Sequence, residues 1–291
     1  MIDGILYASW MFIIAVGLTL IYGVMKILNV AHGSLYALGA YTAAAFAGSW
    51  LGHGHAPVGS YGVLLVAGLV VGLIAGPLIE RGLLRFMYGR EEIVLVLVTY
   101  ALFLILEDFT KLLFGVDPIL VAAPYALLGN LQLGHLVYPV YSFVLVAVSI
   151  LAGAALALVL KRTRQGKMLR AVIHDREMSM ALGINVSRVY LVTFTAGAML
   201  AALGGAITAP TTSVQPGIGA EVIVLAFAIV VVGGLGSLGG AALGALIVGL
   251  VRSAAVHYRP EVELFSVYVV MALVLIVRPK GLFAAPEARK I

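Results

Sequence analysis

Nine apolar stretches, separated by short polar turns, constrain this chain more than anything else in it. They cover residues 5–28, 33–50, 61–79, 93–114, 139–160, 189–209, 220–232, 241–256 and 264–277. A helix needs about 20 apolar residues to cross a hydrocarbon core about 30 Å thick, and several stretches reach that length. In lipid every backbone polar group must be satisfied internally, which leaves helices or closed barrels. Barrel strands would alternate apolar and polar residues over segments of about 10, and no such alternation is present. Charged residues make up only 11% of the chain, against about 25% in a soluble domain. The sequence therefore predicts an all-α fold, a polytopic transmembrane bundle of about 8–10 helices. The second stretch is rich in Gly and Ala. The seventh and eighth are short, which marks them as candidates for broken or re-entrant helices. The 34 glycines suit close helix packing in lipid.

No linker, low-complexity tract or soluble domain interrupts this pattern, so residues 1–291 read as a single transmembrane domain. The N-terminal residues Met1-Ile2-Asp3-Gly4 lack a basic region and a small-residue cleavage site, so the first stretch reads as a retained helix. One polar island, residues 161–188, stands apart. It holds seven of the 18 Lys and Arg residues: Lys161, Arg162, Arg164, Lys167, Arg170, Arg176 and Arg188. Within it, 165–182 is helix-like. Leu169, Val172 and Ile173 share one side, and Arg170, His174 and Glu177 another. Met178, Ala181 and Leu182 continue the apolar side at helical spacing. Gly183 is placed to stop this helix and Ser187 to cap the next. On residues alone the island is either an amphipathic helix lying on anionic lipid or an element inserted into a partner.

Basic residues also predict orientation. With the N-terminus outside, the inner loops hold Lys26; Arg81, Arg85 and Arg90; the island's seven; and Arg278, Lys280, Arg289 and Lys290, which is 15 of 18. The outer side keeps Lys111, Arg252 and Arg259. Positive charge concentrates on the cytoplasmic side, so the N-terminus is expected outside and the C-terminus inside. The longest outer loop, 115–138, carries the turn signals Asp117-Pro118, Pro124 and Gly129-Asn130 and is expected to shape an outer rim. Gly33-Ser34-Leu35 and Gly236-Ser237-Leu238 each open an apolar stretch, a faint sign of an internal repeat.

Signals for catalysis are missing. The chain has no cysteine, hence no disulfide and no thiolate ligand. Gly166-Lys167 lacks the upstream glycine and following hydroxyl of a nucleotide-binding loop, and no His-Glu-x-x-His zinc pattern occurs. His53 and His55 flank Gly54 and read as an outer turn rather than a metal pair. Ser237 has no nucleophile context. The chain is read as a non-enzyme with no metal site and no nucleic-acid partner.

The most polar interruption between the early helices carries Asn29, His32, Ser34 and Tyr36. One reading is the wall or gate of a translocation path, because irregular backbone at membrane depth is tolerated only where protein or a cavity covers it. The other is an ordinary turn capping the second helix, and composition favours the turn. Glu107 and Asp108 lie in the fourth stretch with Lys111. The Glu107–Lys111 spacing permits an intrahelical pair, a reading preferred to an ion pathway because they lie near the helix end. Glu221 opens the seventh stretch, at the positive end of a helix dipole. The run 233–240 has glycines but no strand or lysine of a phosphate cradle, and reads as a tight turn or close helix approach.

Longer segments carry a resemblance. Residues 170–194, RAVIHDREMSMALGINVSRVYLVTF, resemble the cytoplasmic loop of branched-chain amino acid ABC transporter permeases. Residues 23–41 (GVMKILNVAHGSLYALGAY), 197–205 (GAMLAALGG), 232–241 (VGGLGSLGGA) and 278–283 (RPKGLF) are similar to the same family. Length matches the shorter of that family's two permease types. The resemblance implies a permease subunit of a bacterial inner-membrane importer. Its partners would be a second homologous permease (or another copy of this chain), two cytoplasmic ATPases that hold ATP and Mg, and a periplasmic substrate-binding protein. This chain itself would bind no cofactor. Arg170, Asp175, Glu177, Ala181, Gly183 and Ile184 would form the ATPase-coupling loop, although Met178 and Ser179 stand where other importers carry two alanines. Relatives import branched-chain and other amino acids, urea, amides or aromatic acids. Outside the family, the alternative is an ion-coupled secondary transporter, for which Glu107 and Asp108 are the only candidate ion-path residues.

Overall fold

All nine apolar stretches are helical. The computed structural model of the protein describes residues 1–134 and 136–283. Helix α1 (Ile2–Met25) leads through a non-helical segment, 26–31, to α2 (His32–Gly52). α3 (Gly59–Gly82) passes through a 3-10 turn, Leu84–Met87, into α4 (Glu92–Phe114). The short α5 (Ala123–Leu127) and a hairpin, β1 (Asn130–Leu133) with β2 (Leu136–Pro139), precede α6 (Val140–Arg162). The island folds as α7 (Arg164–His174) and α8 (Arg176–Ala181). α9 (Val186–Thr208), a second non-helical segment, 209–217, and α10 (Ile218–Gly233) follow. α11 (Leu238–Tyr258) turns through Pro260–Val262 into α12 (Glu263–Val277).

Among the described residues, seven helices are long and apolar enough to cross a membrane: α1, α3, α4, α6, α9, α11 and α12, with α3 and α12 counted together with their adjoining 3-10 turns. The two remaining apolar helices, α2 and α10, sit in the middle of the bundle. The eighth stretch, expected to be short, is a 21-residue helix, α11. Its Gly- and Ala-rich first turns had hidden its true start.

α1 to α4 and α9 to α12 repeat the same order of elements with opposite direction. In each set the first helix is followed by a non-helical segment, and a 3-10 turn joins the third helix to the fourth. α11 packs along α1 as α3 packs along α9, and α2 meets α3 and α4 as α10 meets α11 and α12. α1 and α9 run antiparallel, with Gly17 against Gly197 and Ile14 against Gly204. The expected echo between Gly33-Ser34-Leu35 and Gly236-Ser237-Leu238 is a different pairing. The counterpart of α2 is α10, whereas Ser237 caps α11, its Oγ accepting from Gly240 N at 3.1 Å.

Small residues let these helices touch. On α3, Gly68, Gly72 and Gly76 lie one turn apart against α9. A Cβ at Gly68 would lie 2.8 Å from Leu203 Cα, one at Gly76 2.8 Å from Thr195 Cα, and one at Gly72 would overlap the Met199 backbone. Such small-xxx-small stripes permit close backbone approach without a hydrophobic drive between helices in lipid. α1 and α9 are the most buried spans, at 67% of their apolar windows, whereas α6 and α12 are 11% and 6% buried and form the rim.

The two ends of the bundle differ. The island lies at one end, with the α3–α4 turn and its Arg81, Arg85 and Arg90, and with Lys26 closing α1. The segment after α12 returns to this end, where Leu282 N and Phe283 N donate to Val232 O and Gly233 O. Arg289 and Lys290 lie outside the described residues. Loop 115–138 and the hairpin mark the opposite end. Ile119 and Val214 pair there through two N–H···O bonds of 2.9 Å, which tie the loop to segment 209–217.

Candidate functional site

Segment 26–31 does not cross the surface. Lys26 takes a left-handed φ of 56° and ends α1, its N–H donating to Tyr22 O at 2.9 Å. The chain then climbs along the middle of α4. Thr99 Oγ1 accepts from Val30 N at 3.3 Å and lies 3.2 Å from Leu28 O. Ser34 Oγ donates to Phe103 O at 3.0 Å. His32 Nε2 reaches Ile14 O, midway along α1, at 3.0 Å. A carbonyl only accepts, so Nε2 carries the proton. Gly17 makes room for the ring, since a Cβ there would lie 3.1 Å from His32 Cε1. Asn29 and His32 are 0% exposed. The turn favoured by composition is present, with His32 N and Gly33 N donating to Asn29 O and Val30 O at 3.3 Å, but it is buried against α1 and α4. Six residues suffice either for a turn or for a climb back into the bundle, and only the partners on α1 and α4 distinguish the two.

Segment 209–217 comes from the other end; Val214 is buried against the outer loop, whereas Thr212, Ser213 and Gln215 are exposed. Gly217, with φ 92°, opens α10. The first turns of α10 and α2 then cross backbone to backbone, and a Cβ at Gly219 would lie 2.7 Å from Gly33 O. Two helix N-termini thus meet midway through the bundle. Each brings a partial positive charge, although His32, Gly33, Ile218 and Ala220 spend their N–H groups on the turns that precede the helices. A narrow cleft beside them is lined by Ser34, Tyr41, Phe103, Glu107, Lys111 and Gly217. Lys111 Nζ bridges Glu107 at 3.4 Å and Asp108 at 3.1 Å. The expected intrahelical pair is present, and it also stands in the wall of the cleft.

Asn29 and His32 meet directly, through His32 N donating to Asn29 O at 3.3 Å. Ser34 and Tyr36 follow on the first turns of α2, and Tyr36 Oη lies 2.7 Å from Thr208 Oγ1 of α9. Both amide atoms of Asn29, His32 Nδ1 and Tyr41 Oη are buried with no hydrogen-bond partner among the described residues. Sequence reasoning missed Thr99, Tyr41, Thr208 and Gly217. The available signal was Gln215-Pro216-Gly217, a turn triplet opening an apolar stretch too short to span.

The island is two helices, not the single one expected over 165–182. Thr163 caps α7, its Oγ1 accepting from Gly166 N at 3.0 Å. Asp175, with φ −152°, breaks the helix and caps α8, its Oδ1 accepting from Met178 N at 2.8 Å. Leu169 and Val172 of α7 are buried in the bundle with Val186, Val189 and Tyr190. The break turns α8 away, so Met178, Met180 and Leu182 do not continue that buried side and are 57%, 48% and 74% exposed. Gly183, with φ 82°, ends α8; Ile184 N donates to Ser179 O and Gly183 N to Met180 O, both at 3.0 Å. Asn185 rather than Ser187 caps α9, its Oδ1 accepting from Arg188 N at 3.0 Å. Both types cap well; Asn185 wins because the glycine stop leaves it, and not Ser187, outside the next helix. Arg170, Asp175, Glu177, Ala181 and Gly183 are exposed, and Ile184 is half-buried.

Aromatic contacts fasten the island to the bundle. Arg176 stacks over the Tyr190 ring at 5.8 Å, and Tyr190 meets Tyr88 edge-on at 4.9 Å. The Tyr88 hydroxyl donates to Glu80 of α3. Burial and the Glu80 carboxylate push the Tyr88 phenol well above its ordinary range, so it stays a donor. The island therefore holds the α3–α4 turn on one side and presents a methionine-bearing apolar patch on the other. Methionine's flexible, polarisable side chain suits adaptable docking surfaces.

Comparison with known proteins shows the family to which the chain belongs. Residues 1–277 match the sequence model of a family described as branched-chain amino acid transport system / permease component. The high-affinity branched-chain amino acid transport system permease protein LivH of Escherichia coli (strain K12) is 30% identical over all of this chain and 96% of its own length. BraD of Pseudomonas aeruginosa, a permease of the same description, is 29% identical over 100% of this chain and 97% of its own. A probable LivH of Methanocaldococcus jannaschii is 28% identical over 96% and 90%. A solved structure, PsaBC from Streptococcus pneumoniae in complex with Fab, superposes with TM-score 0.49 at 13% identity over 94% of this chain and 89% of that chain, a likeness too weak to bear on the reading.

Proposed function

The chain belongs to the branched-chain amino acid transport permease family, and from that premise we propose how it moves substrate. It is a multi-pass membrane permease of an ABC transporter, not an enzyme, and it works with other components of that transporter. It forms half of an import path for branched-chain or related amino acids in the bacterial inner membrane. A second permease, homologous or identical, supplies the other half. Two cytoplasmic ATPases, which hold ATP and Mg, dock on α8, and a periplasmic binding protein delivers substrate at the hairpin end. The N-terminus is periplasmic and the island end cytoplasmic.

The crossing of α2 and α10 carries this reading. Asn29, His32, Ser34 and Tyr36 form the gate around it. The positive ends of the two helices suit an amino-acid carboxylate, at about 0.3–2 kcal/mol for each helix end. Closure of the ATPases pushes the coupling loop, from Arg170 through Asp175, Glu177 and Ala181 to Gly183 and Ile184. The push passes into α9, on which α2 and α3 pack. ATP shifts the equilibrium only through its unequal affinity for the two states.

Gly183 tests the handle. Its left-handed backbone strains a β-branched residue by about 1–2 kcal/mol, and nothing within 4 Å obstructs a side chain there. Gly183→Val is expected to uncouple uptake from ATP hydrolysis in the reconstituted transporter. Gly183→Asn, which tolerates that conformation, is expected to keep coupling. Normal substrate-stimulated ATPase activity and uptake in the Val variant would sink the assignment.

A further inference from the structure

A second cavity, of about 940 Å³, opens at the hairpin end, apart from the cleft at the crossing. Its floor is the first turns of α1, and its walls come from α6, α11 and the start of α12. That volume lies within the roughly 300–1,000 Å³ of small-ligand sites. Its polar groups are unusual for a membrane helix bundle. Arg252 of α11 and Glu263 of α12 form an ion pair inside it. The Arg252 guanidinium stacks 3.8 Å from the centre of the Tyr7 ring, and Trp10 meets Tyr7 edge-on at 5.1 Å. Asp3 lines the rim and accepts from Tyr138 Oη at 3.4 Å.

Charges in membrane helices are costly and are kept where they serve a path or a partner. A purely structural ion pair has no need of a cavity around it. The pair is also incomplete. Glu263 engages one terminal nitrogen of the guanidinium, whereas Arg252 Nε and Tyr7 Oη are buried with no hydrogen-bond partner among the described residues. A guanidinium offers a planar fork matched to a carboxylate. One cavity thus offers donors for an anion, carboxylates for a cation, and two aromatic rings.

We propose that this cavity is a vestibular binding site for a zwitterionic amino acid with an apolar side chain. The proposal rests on the transport reading above and adds a station to it. Arg252 receives the carboxylate, Glu263 and Asp3 receive the ammonium, and Tyr7 and Trp10 cover the side chain. One side chain of the cavity lining also touches a gate residue. Trp10 lies 6.4 Å from Tyr36 between ring centres, and Tyr36 bonds Thr208 beside the crossing.

The chain has two tryptophans, which makes the site directly readable. Trp50 lies elsewhere and donates to Ala56 O at 3.0 Å. In a Trp50→Phe chain, purified in phosphatidylcholine nanodiscs, Trp10 is the sole indole. Titration with L-leucine is expected to change its emission saturably. Leucinamide, lacking the carboxylate, and 4-methylvalerate, lacking the ammonium, are each expected to bind at least about tenfold more weakly. Arg252→Gln should abolish the leucine response, and Arg252→Lys should weaken it. Should Arg252→Gln fail to fold, the two analogues decide alone. An unchanged emission with leucine, or equal responses to leucine and both analogues, overturns the proposal. So does a Trp10 response that follows only phosphatidylethanolamine added to the nanodisc, which would make the cavity a lipid site. Leucine uptake by the complete transporter without a Trp10 response would sink the site alone. A Trp10 response in a transporter that carries no branched-chain amino acid would sink the transport reading and leave the site.

Discussion

Asn29 is the residue whose surroundings explain least of its chemistry. Its amide is fully buried and neither of its polar atoms has a partner among the described residues. Such a group carries its desolvation cost, about 1–3 kcal/mol, with nothing to offset it. A purely structural position would favour leucine, which has a similar branched shape. Asn29→Leu is therefore expected to leave the unfolding temperature in detergent unchanged or slightly raised while uptake falls steeply. A loss of stability matching the loss of uptake would assign Asn29 to the fold instead of the gate. Gly183 contrasts with it. Its place at the end of α8 was readable from sequence, because a glycine closing an amphipathic pattern has few other uses. The cap after it was not, since Asn185 and Ser187 are chemically equivalent candidates two residues apart.

At the scale of elements, the nine apolar helices were legible because lipid enforces length and apolarity on each. Their depth was not. Segments 26–31 and 209–217 are too short to signal whether they run across a surface or into the bundle. Only Thr99, Ile14 and Phe103, distant in sequence, reveal the answer for the first. The break at Asp175 was hidden for a similar reason, since an aspartate on the polar side of a helix looks the same as one that caps the next. The α3–α9 contact is the firmest element-level test. Gly72→Leu would place a side chain into the Met199 backbone, which cannot retreat without separating the helices. Overpacking of this kind costs about 1–3 kcal/mol or more. The expected result is a clear drop in unfolding temperature, with Gly62→Leu as control, because a side chain at Gly62 on the same helix meets nothing within 4 Å. Equal behaviour of the two variants would mean that α3 and α9 do not pack as described.

At the scale of the molecule, the inverted relation between α1–α4 and α9–α12 has a consequence for orientation. Two sets of helices with the same order and opposite direction make the bare scaffold nearly indifferent to which way it sits in a membrane. What distinguishes the ends is added to the scaffold: the island at one, the hairpin and loop 115–138 at the other. Orientation then falls to the basic residues, since short loops rich in Lys and Arg stay in the cytoplasm. Arg81, Arg85 and Arg90 stand with the island, whereas Lys111, Arg252 and Arg259 belong to the opposite end. The absence of cysteine makes this directly measurable, because a single introduced thiol has no competitor in the chain. Ser187→Cys, at the exposed start of α9, is expected to react with an impermeant maleimide only after the inner face of the membrane is opened. Gln132→Cys, on the exposed hairpin, is expected to react from outside intact spheroplasts. The reverse pattern would place the α8 patch in the periplasm, out of reach of any ATPase. It would remove the coupling mechanism while leaving every helix contact as it is.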